Sequence, residues 1–363
     1  MQLITNNPYR TLGVLAGATI REIIRQANTI KKFLTAGQDP PCDYSFFVLD
    51  KLNRNMESVD TAVAKLNLDT DKMTAALFWF YKGNDSTDEP AFDALKAGNV
   101  NGALQIWEKL VFAEAKGDDI KRWNRITEKN YTAFHNYFVV FFLNNNPDTK
   151  KTSNAIEAQL KFLESNFCTS FVVQVTDRTF KTTAKDLQLL FLGEIVREIE
   201  QKTINITLVQ LVSILDNYNS VRQDFIKNFF PKFTVKISAE IENARKNAED
   251  KANAAKRGEA LFKQTKEDLE QLKIIFGEQD YTYFNTADKL ANEILQCGMD
   301  HFEYFKDTDV NPCERSIKLL DLANSLAVGN VAKQRCRENT SIVQQWMKKK
   351  NKNIFQQYHI KFP

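Results

Sequence analysis

The stretch TIREIIRQANTIKKFL, residues 19–34, decides the fold class. Its apolar positions Ile20, Ile23, Ile24, Ala27, Ile30 and Leu34 recur at three- and four-residue steps, the spacing of one buried helical face. Thr19 followed by Glu22 supplies the capping signal at its start. Gly37 and Pro40-Pro41 stop it, because proline has no backbone donor and restricts the residue before it. The same signals recur along the chain. A helix capped by Ser58 is expected through Val59, Val63 and Leu66, and another over 72–81. A helix pair is expected over 88–113 around Ala97-Gly98-Asn99, then a long aromatic-rich helix over 118–143 ended by Asn144 to Pro147. Further helices are expected at 150–165, 183–201, 206–229, 283–306, 312–328 and 330–348. FVVQVTDRTF, residues 171–180, is the one segment with strand-like composition, and strand and helix both stay open for it. The expectation is an all-α fold with at most one short β element near 171–180.

Composition agrees. Twelve glycines and 8 prolines in 363 residues are roughly half of ordinary usage, which disfavours collagen-like, disulfide-knotted and many-stranded sandwich folds. Apolar residues at 43% and charged residues at 26% indicate a globular rather than a disordered chain. A net charge of +3 gives only weak long-range steering towards nucleic acid. Five lysines and no acid lie between Trp346 and Pro363, so the basic excess is largely a property of the tail. The first residues, MQLITNNPYR, hold no apolar run of signal-peptide length. The most apolar stretch, 131–143, includes His135 and Asn136 and is too short and too polar to span a bilayer. Five widely spaced cysteines without a CxxC pair read as core thiols of a reducing compartment. Cytoplasmic location and no membrane association are expected.

From 236 to 275 the chain carries 9 basic and 8 acidic residues. One seven-residue phase, Ile241, Ala248, Ala255, Phe262, Leu269 and Phe276, is apolar. The companion phase, Ile237, Ala244, Lys251, Gly258, Thr265 and Leu272, fails in the middle, so a two-stranded coiled coil is not expected. The reading is one long charged helix, with Gly258 as the place for a break. The expected organisation is a helical unit over 1–85, helical hairpins over 86–235, the charged helix over 236–276, and a C-terminal helical domain with a basic tail over 277–363.

Asn7-Pro8-Tyr9-Arg10-Thr11-Leu12-Gly13-Val14, followed by a small-residue loop and the helix from Thr19, resembles the opening of a J domain. The segment AVAKLNLDTDKMTAALFWFY, residues 62–81, is similar to the third helix of that family and its continuation. Pro8 suits a first helical turn, where its missing N–H is not needed. Tyr9, Leu12 and Val14 supply an apolar face, and Gly13 lets the chain turn closely. Leu66, Leu68 and Ala75-Ala76-Leu77 are expected to pack against Ile23, Ile24, Ile30 and Leu34. J domains stimulate a DnaK-type ATPase through a His-Pro-Asp tripeptide between their second and third helices. Here the three histidines are followed by Asn136, Phe302 and Ile360, and the corresponding loop reads Gly37-Gln38-Asp39-Pro40-Pro41-Cys42-Asp43-Tyr44. Asp39-Pro40 keeps an acid and a proline in reversed order without the imidazole. Leu95 to Asn99 with Ala103, Leu104, Trp107 and Leu110 resembles one tetratricopeptide hairpin. The whole arrangement is similar to bacterial proteins labelled DnaJ-like.

Catalytic motifs are missing: there is no glycine-rich phosphate loop, GxSxG or HExxH. Cys297, His301 and Cys313, with Asp300 nearby, are the nearest approach to a metal or nucleophile cluster; they read more readily as core thiols beside a hydrogen-bonded histidine. The aromatic run Tyr131, Phe134, Tyr137, Phe138, Phe141 and Phe142 covers most of a helix and reads as central core. Trp79 and Phe80 read as a packing seam between the J-like unit and the next hairpin. The functional expectation is a non-enzymatic protein–protein adaptor without cofactor or metal. Its partner-binding candidates are Asp39 and Pro40 in the loop and Arg21, Arg25, Lys31 and Lys32 on the preceding helix. One alternative is a co-chaperone of a DnaK-type chaperone acting through the divergent loop. The other is nucleic-acid association through Lys348, Lys349, Lys350 and Lys352, with Ile354, Tyr358 and Ile360 available to dock the tail as a strand or helix.

Overall fold

The computed structural model describes residues 1–46, 49, 52–113, 122–143 and 148–359, with side chains up to Lys350. The fold is all-α. Among the described residues there is no sheet, only two isolated bridges, Ala16 with Tyr81 and Phe112 with Trp123. The chain forms two compact units, Met1–Asp224 and Phe225–Pro363.

In the first unit, α1 (Gln2–Thr5), α2 (Pro8–Leu12), α3 (Ile20–Thr35), α4 (Met56–Leu66) and α5 (Asp69–Leu77) come first. Asn7 caps α2 by accepting from the Tyr9 N–H at 3.1 Å, and its amide donates to Ala75 O on α5 at 2.9 Å. Gly13 closes α2 at φ 66°, as its place after Leu12 suggested. Thr19 and Glu22 form a reciprocal capping box on α3. The Ser58 cap is displaced: Asn55 is the cap of α4, and Ser58 is the third helical residue, returning a bond to the Asn55 N–H. α4 packs on α2 and α3, burying Ile23, Ala27, Ile30, Val59, Ala62 and Leu66. Ile24 and Leu68, expected inside, are 47% and 61% exposed. The buried face of α3 follows the narrower 23, 27, 30 line, and Ile20 and Ile24 fall beside it.

The helix expected over 72–81 ends at Leu77. Phe78 to Tyr81 then run outside helix, with the Ala16 N–H donating to Phe80 O at 2.9 Å. Leaving the helix sends the aromatics in different directions: Phe78 stacks on Phe191 at 5.5 Å and Phe80 on Trp107 at 5.7 Å. Trp107 belongs to the hairpin α6 (Asp85–Lys96) and α7 (Val100–Val111), turned at Gly98 with φ 82°. Phe80 thus packs at the expected seam, on Phe92 and Trp107 of the hairpin, whereas the Trp79 ring lies beside Phe46 and its indole N–H donates to Val14 O at 2.9 Å. The helix expected over 118–143 starts at residue 131 as α8 (Tyr131–Leu143). Asn130 draws the preceding backbone out of helix by accepting from the Thr127 N–H at 2.7 Å and donating to Leu110 O at 3.1 Å. The stop at Asn144 to Pro147 lies outside the described residues. α8 is buried all round from Thr132 to Phe141.

α9 (Thr149–Glu164), α10 (Phe167–Val175), α11 (Ala184–Glu200), α12 (Leu208–Ile214) and α13 (Asn219–Phe229) follow. The open segment 171–180 is therefore helix up to Val175 and irregular beyond. Its buried positions, Cys168, Phe171, Val172 and Val175, keep helical spacing, whereas a strand would bury alternate residues. The helix expected over 206–229 is divided by a 3₁₀ turn at Leu215–Asn217.

The second unit contains α14 (Pro231–Lys246), α15 (Ala254–Phe276), α16 (Tyr281–Phe305), α17 (Cys313–Leu326) and α18 (Asn330–His359). α16 is central and packs on the other four. The single charged helix expected over 236–276 is two helices, and the break lies at 247–253 rather than at Gly258. There, Asp250 accepts from the Asn253 N–H at 3.2 Å, and Arg257 donates to the carbonyls of Asn247 and Asp250 at 2.7 and 3.0 Å. Gly258 lies inside α15, where a Cβ would stand 2.9 Å from Cys297 Cβ. Gly258, Thr265 and Leu272, the phase that fails in sequence, are all on the buried face.

Candidate functional site

α3 carries most of the sequence-derived candidates. Its capped start fixes the helix, and burial of Ile23, Ala27 and Ile30 fixes which side faces solvent. Arg21, Arg25 and Lys32 are exposed, and none has a carboxylate within ion-pair distance among the described residues. Glu22 is held in the capping box, where hydrogen bonds from Thr19 lower its pKa, with the charge of Arg25 adding to the shift. Lys31 differs from its neighbours: its ammonium is paired with Asp60 on α4. Ile20, at 58% exposure, and Ile24 lie among these cations. α3 thus presents two exposed aliphatic side chains next in sequence to Arg21 and Arg25, with Lys32 two turns further along, and none of the three cations has an ion-pair partner among the described residues.

Asp39 and Pro40 lie elsewhere. They line a pocket of about 490 Å³ with Arg10, Ser45, Arg54 and Lys96. Side-chain hydrogen bonds hold this loop. Arg10 Nε donates to Ser45 O at 3.2 Å, Ser45 Oγ to Arg10 O at 2.8 Å, Arg54 Nε to Thr11 O at 2.7 Å and Gln26 Nε2 to Pro41 O at 3.1 Å. Gly13 lies under it, where a Cβ would come within 2.6 Å of Cys42 Cβ. The structure therefore brings Asp39 and Pro40 together with Arg10, Arg54 and Lys96, and leaves Arg21, Arg25, Lys31 and Lys32 outside this pocket. Arg10 belongs to the Asn7–Val14 motif, but sequence reading gave it no role; Arg54 and Lys96 had no sequence signal, since only the fold brings them near Asp39. The pocket mixes both signs of charge, Asp39 and Asp43 with Arg10, Arg54 and Lys96.

Lys348 and Lys349 are exposed on α18, and Lys350 lies over the Trp346 ring at 4.7 Å. The side chains of Lys352, Ile354 and Tyr358, and all of Ile360, lie outside the described residues. The backbone through 359 is helix, so up to that residue the tail is not a strand.

The cysteine and histidine candidates are buried. Cys297 and His301 share a face of α16, and burial raises the Cys297 thiol above its ordinary value while lowering the His301 imidazole. Burial pushes the Cys168 thiol up to about 12. Among the described residues no group of three or more His, Cys, Asp or Glu side chains is placed to hold a metal ion, and no helix is long and apolar enough to cross a membrane. A polar group, Asp88, Thr132, His135, Asn136 and Gln159, is fully buried; sequence reading did not single it out as a unit, because its members lie on three helices. Comparison of the chain with protein-family models, with characterised proteins and with solved structures gives no match.

Proposed function

We propose that the chain is a non-enzymatic protein–protein adaptor whose J-domain-like start docks an acidic partner surface on the exposed face of α3. The observation that carries this is the juxtaposition of Ile20 and Ile24 with Arg21, Arg25 and Lys32, none of which has an ion-pair partner within the described residues. Aliphatic anchors supply desolvation energy, while rim cations supply orientation and on-rate towards negative charge. The reading needs no cofactor and carries a cytoplasmic location with it. Affinity purification of the full chain, compared with an Ile24→Asp/Arg25→Glu variant, tests it. Both positions are on the surface, so the fold is retained. A partner recovered reproducibly with the parent chain and lost with the variant is the expected result, and an identical partner set would sink the reading.

A DnaK-type chaperone is the first partner to try, because the sequence resemblance aligns the Asp39-Pro40 loop with the segment in which J domains keep their working tripeptide. Stimulated ATP turnover that is lost on replacing Asp39 and Pro40 is the outcome this reading requires. No stimulation removes the co-chaperone reading and leaves the adaptor reading standing. Nucleic-acid association through Lys348, Lys349, Lys350 and Lys352 would require salt-dependent binding that disappears on truncation at Trp346.

A further inference from the structure

On the first unit, a second surface lies between α10 and the start of α11. The segment 176–183 leaves α10, loops outward and returns into the Thr183 cap of α11. Between them is a cleft of about 590 Å³. Its inner wall is apolar, with Val172 and Leu187 almost wholly buried and Val173 40% exposed at the lip. Phe180 lines it from the loop side.

Charge at the rim is uncompensated. The Arg178 guanidinium has no hydrogen bond or ion pair among the described residues, and Lys181 Nζ reaches only the carbonyl of Arg178, at 3.0 Å. One acid lines the cleft, Asp186, and its charge is already used. Its Oδ2 accepts from the Thr183 N–H at 3.0 Å and from Thr183 Oγ1 at 2.7 Å, bonds that hold its pKa below the usual carboxylate range. Asp177, at the start of the loop, turns away to accept from Thr179 at 2.6 Å and does not line the cleft. An exposed aliphatic lip, an apolar wall and two cations without carboxylate partners call for an occupant with complementary halves.

We infer that this cleft binds an acidic peptide segment of a partner protein, with an aliphatic or aromatic side chain against Val172, Val173 and Leu187 and its carboxylates on Arg178 and Lys181. Apolar anchoring with charge at the rim is how short acidic motifs are recognised. Nucleic acid fits less well, since Phe180 is the one aromatic ring lining the cleft and the rest of the apolar wall is aliphatic. The site is separate from the α3 face and does not depend on it.

The test uses the full chain and a dye-labelled peptide alternating glutamate with leucine and phenylalanine, followed by fluorescence anisotropy. Saturable binding is expected, weakened about tenfold or more by Arg178→Glu/Lys181→Glu and several-fold by Val173→Asp. All three positions are exposed, and unchanged circular dichroism verifies folding. Arg21→Glu/Arg25→Glu is expected to leave this binding intact, which separates the cleft from the α3 reading. Absence of saturable binding by the parent chain overturns the inference, as does binding indifferent to reversal at Arg178 and Lys181. Equal affinity for polyglutamate or for a single-stranded oligonucleotide overturns it as well, because charge alone would then account for the binding.

Discussion

His135 sits in the most apolar helix of the chain with no exposed surface. Its Nε2 is 2.7 Å from Trp79 O and its Nδ1 3.0 Å from the Gln159 carboxamide. A carbonyl only accepts, so Nε2 carries the proton and Nδ1 is left as an acceptor. Gln159 satisfies it by turning its amide nitrogen inward, which also gives a partner to the Nε2 that is otherwise orphaned. Burial lowers the imidazole pKa to about 4, against the pull of the hydrogen bond to the Trp79 carbonyl. The folded state therefore binds fewer protons than the unfolded chain between about pH 4 and 6.5. Stability from this group is complete above pH 6.5 and is lost as pH falls through that window, by about 3 kcal/mol in all. Urea unfolding of parent and His135→Gln chains across pH 4–7 checks this. The variant is expected to be less stable at pH 7 but to have a shallower slope. Parallel slopes would refute the assignment, because His301, also lowered by burial, is common to both chains. Asp88 poses the opposite problem, a fully buried carboxylate with no ion-pair partner among the described residues. It accepts from the N–H groups of Gly83 and Asn84, each at 3.1 Å, from Trp107 Nε1 at 3.2 Å and from Thr132 Oγ1 at 3.0 Å. Even so, burial raises its pKa. Asp88→Ala strands these buried donors and is expected to cost roughly 3–5 kcal/mol. Asp88→Asn keeps one acceptor oxygen and is expected to cost less, a ranking read directly from the two denaturation midpoints.

At the scale of elements, helix starts were the most legible feature. Thr19 with Glu22 marks α3, and the structure forms the same reciprocal cap there. Legibility failed where a tertiary contact, rather than local preference, decides the outcome. Phe78 to Tyr81 look helical by composition but are pulled out to fill separate aromatic pockets. Residues 171–175 look strand-like by propensity, yet helical spacing of their buried positions prevails. Gly258 is the clearest case, since an isolated glycine in a charged run reads as a weak point. In the structure it allows α15 to approach Cys297 of α16 and Leu319 of α17, whose Cδ2 would lie 3.0 Å from an added Cβ. Gly258→Ala therefore sets two effects against each other. Helix propensity favours alanine by about 1 kcal/mol. Overpacking costs about 1–3 kcal/mol, and the clash involves a Cβ that cannot swing aside. The clash is expected to win, so a lower melting temperature should be observed; a raised one would show that α15 can shift away without loss. The candidate site divides along the same line. The cations of α3 were readable from one helix, whereas the neighbours of Asp39 come from α2, the end of the loop and α6, and only folding brings them together.

For the whole molecule, the decisive question is which stretch folds alone. The J-like resemblance ends near residue 82, but the packing does not. Phe78 rests on Phe138 and Phe191, Phe80 on Phe92 and Trp107, and Tyr81 on Phe171, with ring centroids 4.9–5.9 Å apart. Each of these partners lies beyond residue 85. A fragment of residues 1–85 would expose Phe78, Phe80 and Tyr81, at about 2 kcal/mol each, and leave Trp79 O without His135. A helical unit of this size has only about 3–5 kcal/mol to lose. The fragment is therefore expected to melt without a cooperative transition. The fragment 225–363 is expected to behave differently, because its core, from Ile237 and Ile241 through Leu290 and Ile294 to Cys336 and Val343, is contained within it. Thermal melts followed by circular dichroism distinguish the two. A sharp transition for 1–85 would mean that the aromatics find an alternative packing and that the J-like unit is an autonomous domain. The expected result has a consequence for function: deleting 1–85 would expose the aromatic core of the first unit, so loss of a partner on deletion would report unfolding rather than docking. Surface substitutions at Ile24, Arg25 and Arg178 leave that core untouched, and changes in binding at those positions can be assigned to the surfaces themselves.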